Sequence, residues 1–373
     1  MPKQVIVHPS IDSIDIINSP IPVPEDHEIV VKVAVAGSNP KDWKYPQWKN
    51  WAHNSGDDMA GIVHSVGKDV YEFKPGDRVA ALHAPGKENG SYAEYSVSPD
   101  WTAFHIPQHV TYEEAATVLT AALTAAMALY VDMKLPAPYD AVEPAAGGKQ
   151  AIVIYGITSA VGAFAAKLAR LSGLHPIIGI AGRAGDYAQT LADYVVDYRK
   201  GEDAVVTGVE DILKKEGLGS KASHVFDAIS EGGTLETTLR FLDPNGGIVS
   251  TVLPPALFAR DKEHFAYPPG VTAINTAVPR VQSTHKDFGY LWSRYLGRLL
   301  ADGRLKSHPV EVVPGGLYGI LPGLQKLRDG KASAVKYVYN IEDTDDSLPT
   351  STVTSSEQTQ GKAHALASFP FPS

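Results

Sequence analysis

The sequence contains no cysteine among its 373 residues. Disulfide bonds and metal sites built from thiolates are therefore both excluded. Histidine does not replace cysteine as a clustered ligand, because the candidates His53, His64, His83, His105 and His109 are scattered along the sequence. No metal site is therefore expected.

Basic residues are in the minority. The chain has 33 lysines and arginines against 42 acidic residues, which gives a formal net charge of -9. Because nucleic acid binding requires a basic surface against the phosphates, nucleic acid is not an expected partner. The first residues, MPKQVIVHPS, lack the apolar core of a signal peptide, which predicts a cytoplasmic protein.

Long apolar runs are also scarce. Residues 115–131 form an uncharged run rich in alanine and threonine, and residues 151–166 form a second run that Gly156 and Gly162 interrupt. Both are expected to be too short and too weakly apolar to span a membrane.

What the sequence does contain is a change of periodicity along its length. Short β-branched runs such as EIVVKVAVAG (Glu28–Gly37) predict strands up to about residue 110. A helix is predicted from Thr111, which serves as N-cap while Glu114 completes a capping box. From QAIVIYG onward, strands and helices alternate at βαβ spacing, which predicts a doubly wound parallel sheet.

The segment YGITSAVG (Tyr155–Gly162) joins a buried strand to a helix. The amide groups and positive dipole at a helix N-terminus favour a pyrophosphate, and Thr158 and Ser159 add hydroxyl donors. This arrangement predicts a dinucleotide site. The alternative is a plain strand-to-helix turn capped by serine or threonine.

The next strand indicates which dinucleotide binds. PIIGIAG ends at Gly182 and is followed by Arg183, where NAD sites carry an acid for the ribose. A guanidinium suits a 2′-phosphate instead, and Tyr198 could stack near the adenine or donate to the same phosphate. NADPH is therefore the predicted cofactor, and Asp186 is expected to be a helix cap. The alternative for Arg183 is a solvated loop cation.

These motifs occur in the order typical of medium-chain dehydrogenase/reductases, and the chain resembles that superfamily over residues 1–340. The segments that carry the resemblance are AGSNPKDWK, GDDMAGIVHSVG, KPGDRVA, GSYAEY, TAALTAAMAL, YGITSAVG and GKASAVKYVY. Zinc-dependent members have cysteine where this chain has Asn39 and histidine where it has Asp57. The chain therefore resembles the zinc-free, quinone-reductase-like branch, in which Asp57 and Asp58 are expected to be structural anchors.

Within that branch, the chain is most similar to fungal trans-acting enoyl reductases, which serve highly reducing polyketide synthases. The segments NPKDWK, ADYVVDYRKG and residues 299–339 carry this closer resemblance. It implies an α/β fold with a Rossmann-type doubly wound sheet (126–274) and a β-rich GroES-like catalytic domain (1–125, completed by 275–341). Residues 342–373, rich in serine and threonine, are predicted to be a disordered tail.

The resemblance also implies site residues. Contacts to NADPH are expected from five segments: Lys41, Asp42, Trp43 and Lys44; Thr158, Ser159, Ala160 and Val161; Gly182, Arg183, Ala184, Gly185 and Tyr198; Val252 and Leu253; and Ser333 and Ala334. Substrate contacts are expected from one helix: Thr124, Ala125, Ala126, Met127, Ala128, Leu129, Tyr130 and Val131. The implied partner is a highly reducing polyketide synthase or its acyl carrier domain.

A reductase without zinc is better suited to a conjugated double bond than to an isolated carbonyl. Hydride adds to the β-carbon of an enoyl thioester, and hydrogen-bond donors stabilise the charge that develops on the carbonyl oxygen. Lys44 and Thr124 are the expected donors. The alternative for Lys44 is a side chain that covers aromatic surface with its ammonium in water. Two other functions stay open, a reductase of quinones or small enones and an NADPH-binding sensor that is not an enzyme.

Overall fold

The computed structural model describes residues 1–140, 149–345 and 352–354. Its strands fall into three sheets. In chain order they are β1 (Lys3–Val7), β2 (Ser13–Asn18), β3 (Glu28–Gly37), β4 (Asp58–Val66), β5 (Arg78–Leu82), β6 (Tyr95–Pro99), β7 (Ala103–His105), β8 (Ile152–Tyr155), β9 (Ile177–Ala181), β10 (Tyr194–Asp197), β11 (His224–Asp227), β12 (Ile248–Thr251), β13 (Thr272–Asn275), β14 (Val310–Val312), β15 (Lys336–Asn340) and β16 (Thr352–Thr354).

Helices surround two of these sheets. They are α1 (Lys41–Lys49), α2 (Tyr112–Ala115), α3 (Leu119–Ala126), α4 (Ala160–Leu171), α5 (Gly185–Leu191), α6 (Glu202–Lys215), α7 (Thr234–Phe241), α8 (Pro255–Phe258), α9 (Lys286–Ala301) and α10 (Ile320–Arg328). A π-helical segment, Met127–Asp132, directly continues α3.

The second domain is a six-stranded sheet in the order β10-β9-β8-β11-β12-β13. Every neighbouring pair in it is parallel, and the chain reverses its direction of winding between β8 and β11. This confirms the predicted doubly wound sheet. Ligands of such sheets bind beyond the carboxyl ends of the strands at the reversal, which here are the turns after Tyr155 and Asp227.

The first domain is built on a sheet in the order β14-β15-β3-β4-β5-β7, with β6 also paired to β3. Strands β14 and β15 come from residues after the parallel sheet, so the chain returns to the first domain to complete it. A separate three-stranded sheet has the order β1-β2-β16, and the burial of β1 alternates strictly between buried and partly exposed residues, as expected for a strand with one face on a core. The predicted β-rich domain is confirmed.

A long helical segment lies between the two domains. Its start is the predicted capping box: the Thr111 hydroxyl accepts from the Glu114 amide, and the Glu114 carboxylate accepts from the Thr111 amide. By length and composition alone, the helix from Tyr112 to Asp132 could cross a membrane, so the expectation that the run 115–131 is too short does not hold for the helix that contains it. It is mostly buried inside the protein, where it packs against α4 and α9.

One strand lies in the segment expected to be disordered. Strand β16 pairs antiparallel with β2, with Val353 opposite Ile14. Before it, Ile341–Asp343 forms a single helical turn. The structure therefore places order inside the predicted tail. The other residues of that tail, 346–351 and 355–373, lie outside the described residues.

Candidate active site

The predicted phosphate turn follows β8 and has the close packing that requires glycine. Gly156 has a φ of +71°, and a Cβ atom there would lie 2.4 Å from the side chain of Ile229. A Cβ atom on Gly162 would lie 2.3 Å from the carbonyl oxygen of Gly156. Ser159 caps α4 by accepting from the Gly162 amide at 3.1 Å. The turn therefore brings a helix N-terminus to the carboxyl edge of the sheet, which suits a pyrophosphate.

The structure brings together the residues predicted to surround the 2′-phosphate. Gly182 follows β9, and a Cβ atom on it would lie 2.6 Å from the ring of Tyr198. The Arg183 guanidinium donates to the carbonyl of Gly330 at 2.8 Å, close in sequence to the predicted cofactor residues Ser333 and Ala334. Asp186 lies in the first turn of α5, where it does not form the expected side-chain cap.

Lys41 and Asp42 belong to a buried cluster of the first domain. The Lys41 ammonium lies 2.5 Å from Asp57 and 3.1 Å from Asp42, and it donates to the carbonyl of Ser55. Asp42 also accepts from the hydroxyl of Tyr92 at 2.6 Å. Burial raises the pKa of Asp57 to about 7. The positive charge of Lys41 opposes this rise, and the negative charge of Asp42 adds to it. Both predicted cofactor residues are thus engaged by their own domain.

A second network surrounds Asn39, the position at which the resemblance noted above would have cysteine in a zinc-dependent member. The Asn39 amide donates to Asp58 at 2.9 Å, and the Lys336 ammonium donates to Asp58 at 2.5 Å and to Asn39 at 3.2 Å. The other oxygen of Asp58 accepts from the Thr120 amide. An ammonium group in this position repels a divalent cation. Within residues 1–140, 149–345 and 352–354, no group of three histidines or carboxylates is arranged for a metal. As expected, Asp57 and Asp58 are anchors.

Lys44 projects from α1 towards the second domain. Its side chain is 6% exposed, and its ammonium lies 2.7 Å from the carboxylate of Glu231, which follows β11. The same ammonium lies 5.3 Å from the ring centroid of Trp43 and 5.1 Å from that of Phe258. Lys44 therefore covers aromatic surface, as in the alternative interpretation, but its ammonium is paired with a carboxylate instead of lying in water. Lys44 places a buried positive charge at the boundary between the domains.

Thr124 has its hydroxyl proton engaged within its own helix, since it donates to the carbonyl of Thr120 at 2.6 Å. The next five predicted substrate residues, 125–129, are fully buried in the larger core. Tyr130 stacks on Trp292 at 4.8 Å and donates to the carbonyl of Leu168. The contacts described for this helix are packing contacts, so its role towards a substrate stays a prediction.

Sequence reasoning missed the loop that carries Glu231. Asp227 ends β11 and accepts from the amides of Ile229 and Ser230 and from the hydroxyl of Thr234. The Ser230 hydroxyl accepts in turn from the amide of Val252, a predicted nicotinamide contact. The available signal was ISEGG directly after a predicted strand, because a polar residue beside two glycines at a carboxyl strand end is typical of a site loop.

A parallel dinucleotide-type sheet beside a β-rich domain, with a buried charge at the boundary, defines a two-domain dehydrogenase/reductase. Residues 25–108 match the family described as "Alcohol dehydrogenase GroES-like domain", and residues 160–266 match "Zinc-binding dehydrogenase". These matches confirm the predicted GroES-like fold of the first domain.

Relatives narrow the class further. The chain is 42% identical over 313 residues to "Trans-enoyl reductase fsr4" of Gibberella fujikuroi, covering 82% of this chain and 89% of that one. It is 32% identical to "Trans-enoyl reductase resD" of Aspergillus sclerotiorum, covering 86% and 95%. The fold matches the crystal structure of CurK enoyl reductase with a TM-score of 0.73 and 20% identity, covering 90% of this chain and 98% of that one. The chain belongs to the fungal trans-enoyl reductases of the medium-chain dehydrogenase/reductase superfamily, oxidoreductases that act on carbon–carbon double bonds.

Proposed function

We propose that this protein is a cytoplasmic, NADPH-dependent, trans-acting enoyl reductase that reduces the α,β-double bond of a carrier-bound polyketide intermediate. The curated relatives named trans-enoyl reductase support the reaction class. The partner would be a highly reducing polyketide synthase or its acyl carrier domain. The observation that carries the chemistry is the buried ammonium of Lys44 at the boundary between the domains.

The residues present suit NADPH. The N-terminus of α4 with Thr158, Ser159, Ala160 and Val161 would hold the pyrophosphate. At the other end, Gly182 packs against the ring of Tyr198, and Ala184 and Gly185 are partly exposed next to the exposed Arg183. The proposal for NADPH over NADH rests on this guanidinium and on the absence of an acid between Gly182 and Gly185. Val252 and Leu253 would lie along the nicotinamide half, and Ser333 and Ala334 would cover it.

The reaction needs a hydride for the β-carbon, which reduced nicotinamide would supply when bound, and a proton for the α-carbon of the resulting enolate, which water would supply. The chain must stabilise the negative charge that develops on the thioester oxygen. An ammonium has three N–H donors, and Lys44 uses one of them on Glu231, which leaves donors for that oxygen. Low exposure strengthens the interaction. Thr124 would have to release the carbonyl of Thr120 before it could donate. We therefore assign the main stabilising role to Lys44 and propose that the reaction is independent of zinc.

An assay of NADPH oxidation with crotonyl-thioester mimics and with quinones tests the proposal. We expect turnover of the thioester and little turnover of quinones. Lys44→Ala should lower kcat for the thioester by about 10²–10³, as for the loss of one donor to a developing oxyanion, and leave NADPH affinity within a few-fold. Thr124→Val serves as the matched variant, with a smaller loss expected. Turnover of quinones alone would refute the enoyl reductase assignment.

A further inference from the structure

The pair formed by Lys44 and Glu231 joins the two domains. Lys44 belongs to α1 of the first domain, and Glu231 belongs to the loop after β11 of the second. Within residues 1–140, 149–345 and 352–354, Glu231 is the one carboxylate within ion-pair distance of the Lys44 ammonium. A buried ammonium requires such a partner, because burial removes its hydration.

We propose that Glu231 is a positioning residue for the reduction: it fixes the Lys44 ammonium at the boundary between the domains, so that the two remaining N–H groups are presented to the substrate oxygen. The catalytic consequence rests on the function proposed above. Without Glu231, the rings of Trp43 and Phe258 would still attract the ammonium, but a ring face does not fix the direction of its N–H bonds.

The loop that carries Glu231 is built to hold it in one place. Ser230, Gly232 and Gly233 all have a left-handed φ, of 59°, 67° and 87°. Such a conformation at a residue other than glycine is strained and persists only when its surroundings impose it. The hydrogen bonds of Asp227 to the amide of Ser230 and of the Ser230 hydroxyl to the amide of Val252 supply that constraint.

On the far side of the loop, an arginine side chain packs against Gly233. A Cβ atom on Gly233 would lie 1.8 Å from the Arg260 guanidinium, which itself pairs with Glu202 at the start of α6. The side chain of Glu231 is 44% exposed, whereas that of Lys44 is 6% exposed. Because Glu231 is partly solvated, its ion pair with Lys44 is expected to contribute little to the stability of the fold. The buried ammonium of Lys44, in contrast, depends on Glu231 for its position.

Kinetics of three substitutions test the proposal on the full-length enzyme. Glu231→Ala should lower kcat for crotonyl-thioester reduction about tenfold, since a charge-assisted hydrogen bond that orients the donor is lost. NADPH affinity, measured by fluorescence, should stay within a few-fold. Glu231→Asp, which keeps the carboxylate, should have a kcat between those of Glu231→Ala and the wild type. Glu231→Gln, which lacks the charge, should have a lower kcat than Glu231→Asp. The exposed Glu263, changed to alanine, is the matched control and should behave as the wild type.

A double-mutant comparison separates positioning from a general structural effect. If Glu231 acts through Lys44, adding Glu231→Ala to Lys44→Ala should cause no further loss of kcat. Wild-type kcat in Glu231→Ala, or losses that multiply in the double variant, would overturn the proposal.

A readout that is independent of turnover separates this proposal from the proposed function. The rate at which an acylating amine reagent labels Lys44, followed by peptide mass spectrometry, should rise in Glu231→Ala and stay unchanged in Glu263→Ala. If the wild type does not reduce the thioester, the proposed function is refuted. The labelling rate of Lys44 then tests by itself whether Glu231 holds the ammonium. Equal labelling of Lys44 in Glu231→Ala and wild type would then show that Glu231 does not hold the ammonium.

Discussion

At the scale of single residues, three buried or partly buried lysines each form an ion pair with a carboxylate. Lys41 pairs with Asp57, Lys336 with Asp58, and Lys44 with Glu231. The first two pairs engage Asp57 and Asp58 within the first domain. Only the third pair crosses to the cofactor domain, which is why Lys44 is the lysine to which we assign chemistry.

The Lys336–Asp58 pair gives a stability prediction. Both side chains are at most 3% exposed, so Lys336→Met would leave the Asp58 charge buried beside Asn39 without its cation. We expect the free energy of unfolding in urea to fall by about 3–5 kcal/mol. Lys326→Met is the control, since its pair with Glu311 is solvent-exposed and should contribute less than about 1 kcal/mol. Equal effects of the two substitutions would contradict the structural role of Lys336.

Arg183 gives a prediction on cofactor choice. Its guanidinium is already held at the carbonyl of Gly330. Arg183→Ala should raise KM for NADPH relative to KM for NADH by about 10- to 150-fold, the equivalent of one charge-assisted contact. Arg304→Ala, which removes an exposed arginine paired with Asp302, should leave the ratio unchanged. An unchanged ratio in Arg183→Ala would refute the assignment to the 2′-phosphate.

Individual residues of the candidate site were predictable from the sequence only where they lie next to the end of a predicted strand or helix. Arg183 follows a predicted strand, and Ser159 begins a predicted helix, so their places could be read from neighbouring residues. Glu231 could not be paired with Lys44 in this way, because 187 residues separate them and the contact depends on how the two domains pack. The engagement of Thr124 by the carbonyl of Thr120 depends on a side-chain rotamer, which periodicity does not determine.

At the scale of single elements, the helical segment from Tyr112 to Asp132 shows how local signals and packing combine. Its start was predictable, because a capping box is set by residues three apart. Its π-helical end was not, since this depends on packing against α4 and α9. Strand β16 was missed for a similar reason. Its three residues are all β-branched, but the run is shorter than the roughly four to eight residues that predict a strand, and it gains order by pairing with β2.

The capping box itself can be tested. Thr111→Ala removes the hydroxyl that accepts from the Glu114 amide, and we expect the free energy of unfolding to fall by about 1 kcal/mol. Thr111→Ser keeps that acceptor and should stay close to the wild type. Urea denaturation followed by circular dichroism measures both. A Thr111→Ser variant as unstable as Thr111→Ala would show that the methyl group, rather than the cap, contributes the stability.

At the scale of the whole molecule, the order of the strands places the site. The reversal of winding between β8 and β11 sets the phosphate turn beside the Glu231 loop, and the late strands β14 and β15 bring the chain back to the first domain. The alternation of strands and helices predicts such a sheet. The approach of α1 to the loop after β11 required the structure, because it joins surfaces of two domains.

The buried carboxyl of Asp227, at the base of that loop, should make the stability of the molecule depend on pH. Burial raises the pKa of Asp227 from 3.8 to about 6, although hydrogen bonds from Ser230, Thr234 and Ile229 oppose the shift. The folded state therefore binds more protons than the unfolded state between these two values. The stability that this group contributes is present below about pH 4 and is lost as the pH rises through about 6.

Asp227→Asn removes this titration and keeps the shape of the side chain. Between pH 4 and 6, the free energy of unfolding of the variant should fall less steeply than that of the wild type, by up to about 1.4 kcal/mol per pH unit. Asp193→Asn is a control, because the pKa of Asp193 is shifted in the opposite direction to that of Asp227. Despite burial, hydrogen bonds from Ile177 and Arg170 lower the pKa of Asp193, so its contribution is lost as the pH falls. Parallel pH profiles of wild type and Asp227→Asn in urea would show that the folded protein does not raise the pKa of Asp227 above its value in the unfolded chain.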